Sequence, residues 1–184
     1  MKFLRRLLIY TAIATLALPA VAAMIFDIFW LAPRIEHIKS LAEMGSIEER
    51  TPPPLIAKMV IASEPNGLNW QVARTLIIQS EPPFKTRSTL QWHLVGAASS
   101  FLLKLHLSEQ ELISIYCARV HVGNGSYGLN TASHKLFGKN LSELTTDEAA
   151  TVAAWPKAPN MFAKNQASLQ RSRDRILANF ASGI

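Results

Sequence analysis

Residues 119–139 read RVHVGNGSYGLNTASHKLFGK. Gly123, Asn124, Gly125 and Gly128 crowd around Tyr127 in a chain with 8 glycines in all, and the run passes at once into a helix-like pattern. A helix ending near Val120 and another beginning near Leu129 must be joined here, and glycine supplies the positive φ values that a tight irregular loop requires. Turn chemistry accounts for the glycines. It does not account for the ordered series that follows: Tyr127-Gly128-Leu129, Ala132, Phe137-Gly138-Lys139, then Thr145 to Pro159.

The flanking sequence is helical in pattern. Ser108 and Glu111 form a capping box that opens a helix with Leu112, Ile113, Ile115, Tyr116 and Val120 directed inward. Thr145 and Glu148 repeat the device ahead of Ala149 to Trp155, which Pro156 and Pro159 terminate. A last helix is expected over 168–180, with Leu169, Ile176, Leu177 and Phe180 on one side. Upstream, 55–63 is a short apolar helix stopped by Glu64-Pro65-Asn66-Gly67. From Ser88 onward, Leu90, Leu94, Ala97, Ala98, Phe101, Leu102 and Leu105 recur at three- and four-residue steps, a continuous face expected to be core. No run of residues alternates as strands do, so the expected fold class is all-α.

At 184 residues the chain holds one domain and an anchor. Leu7 to Phe26 gives twenty consecutive uncharged residues, enough to cross a bilayer core as a helix. Lys2, Arg5 and Arg6 ahead of it place the N-terminus in the cytoplasm and the bulk of the chain outside. The alternative is a cleaved leader, for which Ala20-Val21-Ala22 offers a small-residue site. The apolar run continues through Phe29, Trp30 and Leu31, which favours a retained anchor over 1–31. Residues 32–54, ending in Thr51-Pro52-Pro53-Pro54, read as a juxtamembrane connector, and 55–180 as the folded domain. The net charge of +6 is spread along the chain, which excludes a nucleic-acid footprint. The single Cys117 excludes an internal disulfide and reads as a small buried hydrophobe. His93, His106, His121 and His134 have no carboxylate at a metal-ligand spacing, so no metal site is expected.

The series from about Leu107 to Phe180 resembles the peptidoglycan glycosyltransferases of family 51, the polymerising domain of class A penicillin-binding proteins and of monofunctional transglycosylases. The matching residues are Ile115-Tyr116-Cys117-Ala118, Gly123-Asn124-Gly125-Ser126-Tyr127-Gly128, Phe137-Gly138-Lys139, Leu144-Thr145-Thr146-Asp147-Glu148-Ala149-Ala150 and Arg173-Asp174-Arg175-Ile176-Leu177. The resemblance implies a lysozyme-like helical domain with an N-terminal transmembrane helix. It also implies work on lipid II or glycan strands at the outer face of the bacterial inner membrane, and a divalent cation if the chain is active.

Measured against that family's motifs, the polar positions are depleted. The family base lies in Glu-Asp-x-x-Phe followed by His; here Glu64 stands with Pro65, Leu68 and Gln71 at the other positions. Without the resemblance, Glu64 is a solvated turn residue. The donor-binding motif corresponds to Ser88, Thr89 and Gln91, which can equally serve as a helix cap. The eighteen residues between Thr89 and Ser108 include no acid and no arginine, so the family's second glutamate and its motif cations are missing. The family glutamate and asparagine of the next motif fall on Ser114 and Ala118. Gly125 and Tyr127 complete the candidate substrate-binding residues.

Two functions remain open. The chain is either a glycosyltransferase extending strands from lipid II with Glu64 as general base, or a pseudoenzyme that docks on a cell-wall synthase or another envelope complex. The depletion favours the second, since each lost transition-state contact is commonly worth a few kcal/mol. Lytic cleavage of glycan by a single glutamate is a third, weaker reading.

Overall fold

Helix α9 (Thr146–Ala154) is the element on which three other helices are laid, because its sequence gives it almost no side chain to keep neighbours away. Ala149, Ala150, Val152, Ala153 and Ala154 are all buried. Helices α4 (Pro54–Ser63), α8 (Leu129–Phe137) and α11 (Gln166–Ala181) pack directly on it. Ile56, Met59 and Val60 of α4 and Ile176 of α11 supply the bulk that the alanines leave room for. Thr145 accepts from the Glu148 amide, and the Glu148 carboxylate accepts from the Thr145 amide at 2.9 Å, so the expected capping box is present. The box at Ser108 and Glu111 opens α7 (Glu109–Arg119) in the same way.

The structure is a computed structural model that describes residues 2–65, 67–79 and 88–183. Asn66 of the expected turn and the side chains of Lys2 and Arg5 lie outside the described residues. The chain divides into two compact units, Met1–Glu36 and His37–Ile184. The first contains α1 (Lys2–Phe26), with Leu18, Met24, Ile28 and Phe29 exposed within this unit. Among the described residues one helical run, Ala17–Glu43, is long and apolar enough to cross a membrane, and a signal sequence would pass the same test.

Three features of the structure differ from the sequence reading or go beyond it. The expected connector of residues 32–54 contains α2 (Ile35–Glu43) and α3 (Ile47–Arg50), and the compact unit starts at His37 rather than at residue 55. Its periodicity was hidden because the residue it buries most thoroughly in α3 is a carboxylate, Glu49, and not an apolar side chain. A helix not anticipated, α5 (Asn69–Gln79), follows the turn after Glu64. Finally α6 (Thr89–His106) turns most of the expected apolar face outward: Leu90, Leu94, Phe101 and Leu105 are 62–71% exposed, while Leu102 of that face is buried. The face it buries is Val95, Gly96, Ser99, Leu102 and Leu103. Gly96 sets this choice, since a Cβ there would stand 2.8 Å from the Trp70 ring; the helix faces α5 with the side that lets the indole lie against its backbone.

The glycine-rich stretch is a small hairpin. Strands β1 (His121–Gly123) and β2 (Ser126–Tyr127) pair antiparallel, and the turn residues Asn124 and Gly125 have φ of 52° and 71°. Positive φ at both central positions is the type I′ arrangement, for which Asn-Gly is the usual signal.

Candidate functional site

Glu64 caps the C-terminus of α4, and the chain turns there because Pro65 cannot continue the helix hydrogen bonding. Two long-range bonds hold the last turn of α4 and so fix where Glu64 stands. Lys157 Nζ donates to the Ser63 carbonyl at 2.6 Å, and Asn179 Nδ2 donates to the Ala62 carbonyl at 3.0 Å. Both satisfy carbonyls that a helix end leaves unpaired. The Glu64 carboxylate accepts from Gln71 Nε2 at 3.2 Å, so the position where the family has His carries a neutral amide donor.

Glu64 borders a cavity of about 540 Å³. Gln71, Arg74 and Thr75 reach it from one face of α5, where their spacing of three and four places them together. Tyr116 and Arg119 come from the end of α7, His121 and Tyr127 from the hairpin, and Pro156 and Lys157 from the turn after α9. The Arg119 guanidinium lies 5.1 Å from the Tyr127 ring centroid, and His121 meets the same ring edge-on at 5.6 Å. Arg74 stands 5.8 Å over Trp92, which ties the cavity wall to α6. Burial pushes the Tyr116 phenol well above its ordinary range, with the Glu64 charge adding to the effect and the Ser63 hydroxyl opposing it. The phenol lining the cavity thus keeps its proton at any physiological pH.

Among the described residues Glu64 is the only carboxylate lining this cavity, against the three cationic side chains of Arg74, Arg119 and Lys157. That donor set suits an anionic ligand and does not fit a divalent cation, which would meet one carboxylate and net positive surroundings. Among the described residues no group of three or more His, Cys, Asp or Glu is gathered to hold a metal. Glu64 also borders a second cavity of about 320 Å³, with Lys104, Leu107, Glu109 and Leu112 on its wall.

The sequence-predicted site residues separate into two sets. Glu64 and Tyr127 line the larger cavity together. Gly125 is at the exposed hairpin tip, with open space where a Cβ would go. Ser88, Thr89 and Gln91 are exposed at the start of α6, where Ser88 Oγ accepts from the Gln91 amide at 3.2 Å as an N-cap; they line neither cavity. Sequence reasoning missed Arg74, Arg119, His121 and Lys157. It sought the cations in the shortened 89–108 segment, whereas α5, α7 and the turn after α9 supply them. The i, i+3, i+4 set of Gln71, Arg74 and Thr75 was a readable signal once a helix was placed there.

Residues 66–181 match the family model described as Transglycosylase. The chain belongs to this transglycosylase family. Its mostly helical domain, with the capped helices and the hairpin described above, is the lysozyme-like form that the sequence resemblance implied. The relatives it matches include penicillin-binding protein 1A of Aquifex aeolicus, 32% identical over 107 residues, covering 56% of this chain and 14% of the relative. Penicillin-binding protein 1A of Haemophilus influenzae is 32% identical over 122 residues, covering 65% of this chain and 14% of the relative. A protein of Cupriavidus necator named as a transglycosylase is 30% identical over 109 residues, or 59% of this chain and 44% of the relative. The transglycosylase chain thus spans about one seventh of the penicillin-binding proteins and under half of the third relative.

Proposed function

We propose that this transglycosylase-family chain is a membrane-tethered binding or scaffold module of bacterial peptidoglycan assembly. In this reading it holds the lipid-linked disaccharide precursor, or the end of a glycan strand, in the larger cavity without polymerising it. The carrying observation is the composition of that cavity: three cationic side chains around a single carboxylate whose side-chain partner is the neutral Gln71. Arg74, Arg119 and Lys157 can meet the diphosphate of such a ligand with charge-assisted hydrogen bonds. The Tyr127 ring and the Tyr116 and Thr75 hydroxyls offer apolar and polar contacts to a sugar. Polymerisation asks for a base to take the attacking hydroxyl's proton and for groups that stabilise the departing diphosphate, and the family resemblance implies a second glutamate beside them. Here the one acid has no acidic partner in the cavity. The anchor keeps the unit at the inner membrane, with the domain on its outer face, and the remaining surface is free to dock on a cell-wall synthase or another envelope complex.

The cation set also favours a second reading, an active glycosyltransferase with Glu64 as base, because the leaving diphosphate would find the same three side chains. Binding separates the cavity from the rest of the molecule. Full-length protein in detergent should bind lipid II, and Arg74→Ala and Arg119→Ala should each weaken binding by about threefold to tenfold, more at low salt. Binding that the double variant leaves intact would remove the cavity from the account.

A further inference from the structure

Glu49 is 4% exposed and lies outside the stretch that matches the family model. Its carboxylate serves two helices at once. One oxygen, Oε2, accepts from the Ser46 amide at 2.7 Å, closing the first turn of α3. The other, Oε1, accepts from the Asn130 amide at 2.8 Å, in the first turn of α8, eighty-one residues away. The residue that should cap α8 is Gly128, which has no side chain to do so, and Glu49 stands in its place. A Cβ on Gly128 would come within 2.4 Å of Glu49 Oε1, and its φ of +94° is itself glycine's. Gly128 is therefore fixed twice, by its backbone angle and by the carboxylate lying against it. The neighbouring residues of α3 reinforce the join. Ser142 donates to the Glu48 carboxylate through its amide and its hydroxyl, and the Ser114 hydroxyl of α7 donates to the Arg50 carbonyl at 2.8 Å.

Tyr127, the residue before Gly128, is the hairpin's aromatic contribution to the larger cavity. We infer that Glu49 is a positioning residue for that cavity: by capping α8 from α3 it sets the backbone at Gly128 and thereby the place of Tyr127 on the cavity wall. The link to ligand rests on the binding function proposed above; the link to the backbone stands apart from it.

Glu49→Gln keeps the volume but turns an NH2 group toward one of the two amides. In full-length protein, hydrogen exchange should quicken by about tenfold or more over 126–131, as expected when a charge-assisted cap is lost, while α9 and α11 keep wild-type exchange. Lipid II binding should weaken by a similar factor. Tyr127→Ala placed on the Glu49→Gln background should add little further loss, because the two residues act through one position. Gly128→Ala, which pushes on the same carboxylate from the other side, should reproduce the local exchange change. Unchanged exchange over 126–131, or a uniform rise through α9 and α11, would overturn the positioning role, as would binding losses that simply multiply. If wild-type protein binds no lipid II, the cavity's function fails while the exchange data still decide what Glu49 does.

Discussion

Helices α6 and α7 follow one another in the chain and both are rich in apolar residues, yet the fold treats them in opposite ways. In α7 seven consecutive residues, Leu112 to Ala118, are buried, including the polar Ser114, because α3, α5 and α8 surround it. In α6 four large apolar side chains, Leu90, Leu94, Phe101 and Leu105, are outside, and the buried face sets Val95, Leu102 and Leu103 beside a glycine and a serine. Burial here follows the neighbours that the backbone supplies, not the hydrophobicity of a stripe. For α7 those neighbours are fixed by polar joins such as Ser114 to Arg50, and for α6 by the close approach of Trp70 to Gly96.

The comparison can be broken most strongly inside α6 itself. Leu103 is fully buried, so Leu103→Ala should destabilise the domain by about 2–5 kcal/mol in thermal or denaturant unfolding. At the start of α8, which packs on α7, Gly128→Ala should cost about 3 kcal/mol, combining left-handed strain with displacement of the Glu49 carboxylate. Cys117 and Tyr116, in the last turn of α7, sharpen the contrast through pH. Burial, aided by the Glu49 charge, holds the Cys117 thiol above its ordinary value of 9.0, and burial holds the Tyr116 phenol above 10.0. The unfolded chain gives up these protons first, so their contribution is intact below pH 9 and falls as pH rises. Between pH 8 and pH 10 the domain should lose about 2 kcal/mol, and Cys117→Ala should flatten that slope. The smallest effect belongs to the exposed stripe: Leu94→Ala should change stability by no more than about 0.5 kcal/mol. A cost like that of Leu103→Ala would mean that α6 is covered by something that binds it.

The same contrast marks what could be read from the letters. Capping boxes are local, three residues from donor to acceptor, so Ser108 with Glu111 and Thr145 with Glu148 were legible together with the helices they open. The Asn124-Gly125 turn was equally local, but its glycines were read as an irregular loop between two helices, and the two short strands it joins were not placed. Which face of α6 is buried was not legible, because a helix apolar around much of its circumference gives no preferred direction until its neighbours are known. Glu49 shows the complementary difficulty. A buried carboxylate looks in sequence like any solvated glutamate, and its partner amide at Asn130 is eighty-one positions away. The site divided along the same line. Glu64 and Tyr127 were reached through resemblance, whereas Arg74, Arg119 and Lys157 meet only when α5, α7 and the turn after α9 are assembled.

On the proposed function, the larger cavity binds a lipid-linked ligand and does not polymerise it. The most direct measurement follows glycan products from lipid II with purified full-length protein, beside a Glu64→Gln variant. The account predicts bound lipid II, no detectable polymer from either protein, and little difference between the two. Robust glycan synthesis by the wild type, abolished by Glu64→Gln, would contradict it and establish Glu64 as a working general base.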